Sequence, residues 1–318
     1  MAYRAPQRIH SDTARPRRCP IGCRLGLELG RGPIIAAMAV VMDGAAVRDE
    51  IVASVRETIE GLGITVCLAT VLVGDDRPSQ IYVRNKHKMA EAAGMVSRHV
   101  QLDATISQAD LEAEVAALAD DPGVHGILVQ LPLPGNLDAE RVLDLVPPDK
   151  DVDGLTEASM GRLVRDRRGL VPCTPLGVVR LLQRYRVPTE GRRAVVVGRS
   201  SLVGLPLSLL LARRGIDATV TLAHSRSQDL AGICRDADII IAAAGQAKMI
   251  TAEFVSPGAA VIDVGISRTE AGIVGDVDFE GVEPIAGWIT PMPGGTGPMT
   301  IACLLENTLT AAQIQRER

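Results

Sequence analysis

From Asp43 onward, apolar and polar positions fall into two alternating rhythms. Val47, Ile51, Val55 and Ile59 recur every four residues, which places them on one stripe of a helix over 44–62, and Asp43 stands where an N-cap acceptor is needed. Ile64 to Val73 is instead a continuous apolar run, the pattern of a strand buried on both faces. The alternation goes on with a helix over 79–93 ended by Gly94 and a short strand over 95–100. Ser107 and Asp110 form a capping box for a helix to about residue 119, and a buried strand follows over 124–130. Turns containing Pro132, Pro134, Pro147 and Pro148 separate this set from a second one. The second set predicts a helix over 175–185, then a strand 194–197, helix 203–213, strand 218–222, helix 228–234 and strands 238–242 and 260–264. A closing helix over 298–313 is placed to return onto the first set.

Strands separated by helices need crossover connections, hence parallel sheets. The expected class is α/β, with two domains of alternating β and α elements and a cleft between them. The first spans 38–173 and is closed by 298–313; the second, over 174–297, is a Rossmann-like doubly wound parallel sheet. A length of 318 residues suits two domains at roughly 150 residues each.

Composition narrows the function classes. Net charge is −4, which argues against a surface that coats nucleic acid, and one Trp, three Tyr and two Phe leave little for base stacking. No run approaches the roughly 18 unbroken apolar residues of a membrane helix. The six cysteines are scattered; Cys19 and Cys23 have no second pair to complete a zinc site, no metal is expected, and reduced, buried thiols fit a cytoplasmic protein. Residues 1–37 carry seven Arg, no Lys and only two acids, with no sustained period. They read as a dispensable extension, a transit peptide or upstream sequence before a start at Met38 or Met42. Only four cations are Lys: Lys86, Lys88, Lys150 and Lys248. A desolvated Lys can release its proton and Arg cannot, so this scarcity draws the eye to Lys86 and Lys88.

Several segments carry candidate chemistry. Tyr82 and Lys86 are one helical turn apart, so the phenol can orient the amine or lower its pKa; a surface Lys beside a half-buried Tyr fits the same spacing. The Tyr-x-x-x-Lys of short-chain dehydrogenases follows its glycine loop, whereas here the glycine loop comes later in the chain. Gln130 stands at the carboxyl end of a strand, where ligands of open α/β sheets bind. Asp149-Lys-Asp-Val-Asp-Gly154 lacks calcium-loop spacing and offers one carboxylate for a cationic or amidine-like ligand edge, or else a solvated turn. Val195 to Pro206 runs from strand through Gly198, Arg199 and Ser200 to Gly204 and a helix, a turn suited to phosphate, although Ser200 replaces the second glycine of G-x-G-x-x-G. The next strand ends His224-Ser225-Arg226 with no acid for a ribose hydroxyl pair; with Arg199 these residues suggest a 2′-phosphate, hence NADP. Pro291 to Thr300 packs Gly294, Gly295, Gly297, Pro293 and Pro298 ahead of the last helix, fixing an unusual backbone close to a ligand or merely a tight turn.

In this order the segments resemble the bifunctional methylenetetrahydrofolate dehydrogenase/methenyltetrahydrofolate cyclohydrolase family, over about residues 43–312. The motifs are Ser79-Gln-Ile-Tyr-Val-Arg-Asn-Lys86, Gly126-Ile-Leu-Val-Gln-Leu-Pro-Leu-Pro134, Asp149 to Gly154, Pro172-Cys-Thr-Pro175, Gly198-Arg-Ser with Val203-Gly204, Asp263-Val-Gly265, Gly275-Asp-Val277 and Pro293 to Thr300. The resemblance implies NADP-dependent oxidation of 5,10-methylenetetrahydrofolate and hydrolysis of the methenyl product to 10-formyltetrahydrofolate, a donor for purine biosynthesis. It implies Lys86 as the central group of the hydrolysis, tuned by Gln130, with Tyr82 packing on the folate and Asp153 holding the amino-pyrimidine edge. Gly294, Gly295 and Pro298 join the substrate side; Gly198, Arg199, Ser200, Gly204, Ser225, Arg226 and Gly265 join the cofactor side. It also implies a cytoplasmic homodimer with a tetrahydrofolate derivative as its partner. The chain departs from the family pattern at Leu155, Thr156, Glu157 and Ser159, where Phe-His-Pro and later Asn are usual. Further departures are Arg77-Pro78, Ser267 and Thr296. Two other classes share the frame: another two-domain dehydrogenase of the amino-acid or shikimate type, and a non-catalytic nucleotide-binding protein.

Overall fold

Local signals close the first helix at both ends. Asp43 accepts at Oδ1 from the N–H groups of Ala45 and Ala46, and Gly63 ends the helix in the left-handed region at φ 60°. The computed structural model describes residues 38–269 and 272–317, so the extension over 1–37, with Cys19 and Cys23, lies outside the described residues. The described residues open with β1 (Val40–Val41), α1 (Gly44–Leu62), β2 (Cys67–Val73), α2 (Arg77–Ala92), β3 (Val96–Leu102), α3 (Gln108–Asp120) and β4 (Gly126–Val129). Three helices follow, α4 (Ala139–Leu143), α5 (Glu157–Val164) and α6 (Cys173–Arg184). Then come β5 (Arg193–Val197), α7 (Gly204–Ala212), β6 (Thr219–Ala223), α8 (Leu230–Arg235), β7 (Ile239–Ala242) and β8 (Ala260–Asp263). The hairpin β9 (Ser267–Thr269) and β10 (Gly272–Val274), α9 (Phe279–Val282), β11 (Trp288–Ile289) and α10 (Thr296–Arg316) complete it.

Two parallel sheets result, a three-stranded one in the order β3-β2-β4 and a six-stranded one in the order β1-β11-β8-β7-β5-β6. Alternate residues of the larger sheet feed opposite cores. Ala194, Val196, Ile239, Ile241, Ala260 and Ile262 pack with Val178 and Leu182 of α6 and Leu207 and Leu211 of α7. Val195, Val197, Ile240, Ala242 and Val261 pack on the other face with Cys234 of α8 and Val282 of α9. Helices thus cover both faces, as the near-continuous apolar strands require. In the smaller sheet, Leu68 and Leu128 meet Val52 and Val55 of α1 and Leu304, Leu305 and Leu309 of α10, while Ala69, Val71 and Ile127 meet Leu111 and Val115 of α3. The last helix therefore does return onto the first set of elements.

The pattern did not announce β1 and β11, two-residue strands that pair with each other, with β11 also pairing with β8. It also missed the short helices α4 and α5, which side-chain caps from Asp138 and Thr156 open, and the β9–β10 hairpin. No described helix is long and apolar enough to cross a membrane.

Candidate active site

Helix α2 starts where Asp76 Oδ2 accepts from the Ser79 N–H and hydroxyl, and it carries Tyr82 and Lys86 one turn apart. Lys86 is only 4% exposed, so it is not a surface cation. Its Nζ donates to Gln130 Oε1 at 3.0 Å, and Gln130 Nε2 donates to the Leu131 carbonyl at 2.7 Å, which fixes the amide with its oxygen toward the lysine. Tyr82 presents its ring rather than its hydroxyl: Nζ sits 4.4 Å from the ring centroid, and the hydroxyl pairs with Thr300. The contact orients the amine but, as a cation–π contact, favours its charged form, so it does not lower the pKa as the spacing had suggested. Burial does that, pushing Lys86 below the usual lysine range, partly countered by Asp153 and Cys173. Lys88, two residues on, is exposed on the helix surface.

The three carboxylates of the 149–154 turn divide their work. Asp151 is buried and accepts from the N–H groups of Gly154, Leu155 and Thr156 and from the Thr156 hydroxyl, holding the turn and the start of α5. Lys150 donates to the carbonyls of Ala119 and Asp121 at the end of α3. Asp153 faces the cleft. Burial pushes its carboxyl up, offset in part by Lys86, so Lys86 and Asp153 are both driven toward their neutral forms. The departures at 155–159 do not break the rim. Leu155 lines the cleft, while Thr156 caps α5 by accepting from the Ser159 N–H.

The cleft encloses about 200 Å³. Tyr82, Lys86, Gln130, Asp153 and Leu155 line it with Cys173, Thr174 and Thr300, and Leu202 and Val203 from the turn after β5 form part of its wall. The phosphate-type turn therefore borders the lysine. Thr174 and Thr300 are joined through their hydroxyls at 3.0 Å. Cys173, Thr174 and Thr300 lay inside quoted motifs, but nothing in their spacing marked them as cleft residues. Cys173 is buried, and desolvation holds its thiol well above the ordinary range.

The turn after β5 is built for close backbone approach. A Cβ on Gly198, at φ 127°, would stand 2.0 Å from the Ala243 carbonyl oxygen, and one on Gly204 would stand 2.0 Å from the Gly198 carbonyl oxygen. Ser200 Oγ accepts from the Val203 N–H, so the residue in place of a second glycine shapes the turn. Strands β5 and β6 pair Val197 with Ala223, which brings Arg199 and the Ser225–Arg226 turn to the same sheet edge. All three side chains are exposed, and among the described residues neither guanidinium has an ionic partner. This donor set fits a phosphorylated dinucleotide: a glycine cradle, a helix N-terminus and two free cations. Gly265 donates its N–H to Asp263 Oδ1 and has no room for a Cβ beside the Asp276 carboxylate.

The Pro291–Thr300 segment divides. Gly294, at φ 114°, accepts at its carbonyl from Gly44 and Ala45, and a Cβ on Gly44 would fall 1.8 Å from the Gly295 carbonyl oxygen; this pair is turned to the start of α1. Pro298 lines a separate hollow on another side of Tyr82, with Arg48, Asn85 and Lys88. Lys86, Gln130, Tyr82 and Asp153 thus converge on one cleft, whereas Gly294 and Gly295 do not line it.

Comparison with known proteins shows the family. The catalytic-domain model of tetrahydrofolate dehydrogenase/cyclohydrolase matches residues 42–153, and its NAD(P)-binding-domain model matches 172–316. The bifunctional protein FolD 2 of Frankia casuarinae is 52% identical over 279 residues, covering 86% of this chain and 96% of its own. The bifunctional protein FolD of Acidiphilium cryptum is 52% identical over 279 residues, covering 87% and 99%. Among solved structures, the Trypanosoma brucei N5,N10-methylenetetrahydrofolate dehydrogenase-cyclohydrolase complexed with NADP cofactor and inhibitor superimposes with a TM-score of 0.84 at 40% identity, covering 89% of this chain and all of that one. With both family models matched in order and half of all aligned residues shared with such relatives, the chain belongs to the tetrahydrofolate dehydrogenase/cyclohydrolase family.

Proposed function

We propose that this chain oxidises 5,10-methylenetetrahydrofolate with NADP⁺ and hydrolyses the methenyl product to 10-formyltetrahydrofolate in the same cleft. The observation that carries the reading is the buried Lys86 amine, held on Gln130 and facing Asp153 in a cleft that the nucleotide turn borders. When bound, the nicotinamide supplies the oxidant for the first reaction. The side chains supply the rest. Asp153 accepts from the amino-pyrimidine edge of the pterin, whose donor pair matches a carboxylate and restores its ionised form. Tyr82 packs on the folate. Lys86, its pKa lowered by burial, takes a proton from the water that adds to the methenyl carbon and returns it to N5 as the carbon–N5 bond of the adduct breaks, leaving the formyl group on N10, and Gln130 keeps the amine aimed.

NADP is preferred over NAD because Arg199, Ser225 and Arg226 stand where an acid would otherwise meet a ribose hydroxyl pair. Residues 38–173 with α10 form the folate side and 174–297 the nucleotide side, β1 crossing over to the larger sheet. The protein acts as a cytoplasmic homodimer feeding purine biosynthesis. Free, buried thiols at Cys67, Cys173, Cys234 and Cys303 suit a reducing compartment, and exposed Ile266 and Ile273 suit burial against a second copy.

Purified protein with methylenetetrahydrofolate and NADP⁺ tests the reading, with NADPH and methenyl absorbance followed separately. Both signals are expected, the methenyl band passing through a rise and a decay. Nucleotide binding with no folate turnover would overturn it.

A further inference from the structure

Helix α10 does more than cover the smaller sheet. Its Asn307 is 5% exposed among apolar neighbours such as Cys303, Leu304 and Leu305, where a leucine would fill the space without a polar group to satisfy. The amide nitrogen instead donates to the Val152 carbonyl at 2.8 Å and to the Val171 carbonyl at 2.8 Å. Each carbonyl lies next to the cleft: Val152 precedes Asp153, and Val171 precedes Pro172 and Cys173. The Cys173 thiol donates to the same Val152 oxygen at 3.1 Å. The two segments are close enough that a Cβ on Gly154 would meet the Pro172 nitrogen at 2.5 Å. Farther along α10, Gln315 Nε2 donates to the carbonyls of His125 and Asp149, at the beginning of the same turn.

We infer that Asn307 is a positioning residue for the substrate: by tying the Val152 and Val171 carbonyls together it sets where Asp153 stands in the cleft. The inference rests on the reading of Asp153 as the carboxylate that holds the pterin edge. With Asp151 fixing the far side of the turn and Gln315 its beginning, Asn307 closes the remaining freedom of the peptide that leads into Asp153. Its loss leaves the Val171 carbonyl without its donor and the Val152 carbonyl with the weak Cys173 thiol alone, and the turn shifts to find others. A displacement of about 1 Å at a binding group can cost about 10²-fold.

The test compares Asn307→Leu, which keeps the volume and removes both donors, with Asn307→Ser, which keeps one donor and serves should the leucine variant fail to fold. KM for methylenetetrahydrofolate is expected to rise between about tenfold and about 10²-fold in the leucine variant and less in the serine one. NADP⁺ affinity, read by fluorescence titration, stays within about twofold. A purely packing role would lower the melting temperature and leave KM alone, and that result overturns the inference. Asp153→Asn separates the two readings: unchanged folate KM there removes the role of Asp153 itself, whereas a raised KM there with none in Asn307→Leu or Asn307→Ser removes only the role of Asn307. In the double variant Asn307→Leu should add little to Asp153→Asn, because both act through one contact; full additivity also counts against it.

Discussion

The folate-side cleft and the nucleotide turn sit next to each other and are built on opposite terms. In the cleft, charge is buried: Lys86 and Asp153 have lost most of their water, and burial pushes both toward neutrality. At the nucleotide turn, charge is exposed: Arg199 and Arg226 stay in water, and the precise parts are backbone, the glycines at 198 and 204 with no room for a Cβ. Proton transfer needs a group whose protonation is near balance, which desolvation provides; a phosphate needs permanent positive charge, which only solvated or paired groups keep at low cost. Under the proposed roles, a lysine suits the first place, where a proton must be released, and arginines suit the second.

The strongest way to break this comparison is Lys86→Arg, which keeps charge and length but cannot give up a proton. Cyclohydrolase activity should fall by about 10²–10⁴-fold, measured from decay of methenyl absorbance, while NADP⁺ affinity is unchanged. Near-normal hydrolysis would reduce Lys86 to a binding cation. Next in size is Arg199→Ala. A charge-assisted hydrogen bond contributes about 1.5–3 kcal/mol, so KM for NADP⁺ should rise about 10- to 150-fold with NAD⁺ kinetics little changed. Equal losses for both cofactors would make Arg199 a structural residue. Ser225→Ala should act in the same direction but by less, since a neutral hydroxyl makes the weaker bond; an acid placed there should swing preference toward NAD⁺.

A third buried carboxyl sharpens the comparison through stability rather than rate. Asp263, at the end of β8, accepts from the N–H groups of Gly265, Asp276 and Val277, yet burial pushes its carboxyl up to about 6 from 3.8. A raised carboxyl binds its proton more tightly folded than unfolded. Its contribution is therefore present in full below pH 3.8 and is lost as pH rises through about 6, a change of about 3 kcal/mol. Denaturation midpoints of Asp263→Asn against the parent chain across this range should differ by less at low pH than at neutral pH. A constant difference would mean that the three N–H donors fully offset the burial.

The same contrast governs what could be read in the sequence. Helix α1 was legible because its cap and stripe are local. The nucleotide turn was legible because strand, glycines and helix follow one another within a dozen residues. The short strands β1 and β11 were not, since two residues carry no period and their pairing joins distant parts of the chain. Tyr82 and Lys86 could be paired from spacing, but whether the lysine was buried depended on Gln130 and on the 149–154 turn, which arrive from other elements. Nothing near Asn307 distinguishes it from a surface amide; its partner carbonyls are contributed by segments more than a hundred residues earlier.

Helix α10 has a consequence for synthesis. The three strands of the smaller sheet are complete once residue 129 has been made, but one of their apolar faces is roofed partly by Leu304, Leu305 and Leu309. At about 5–20 residues per second, that face waits on the order of ten seconds or more on the ribosome for its cover. During this interval β5 to β8 of the larger sheet, all made by residue 263, can pair with α6, α7 and α8 already in hand, so the core of the nucleotide half is expected to assemble first. The nascent folate half, covered by α1 and α3 but lacking α10, is expected to be the part of this protein that exposes apolar surface longest.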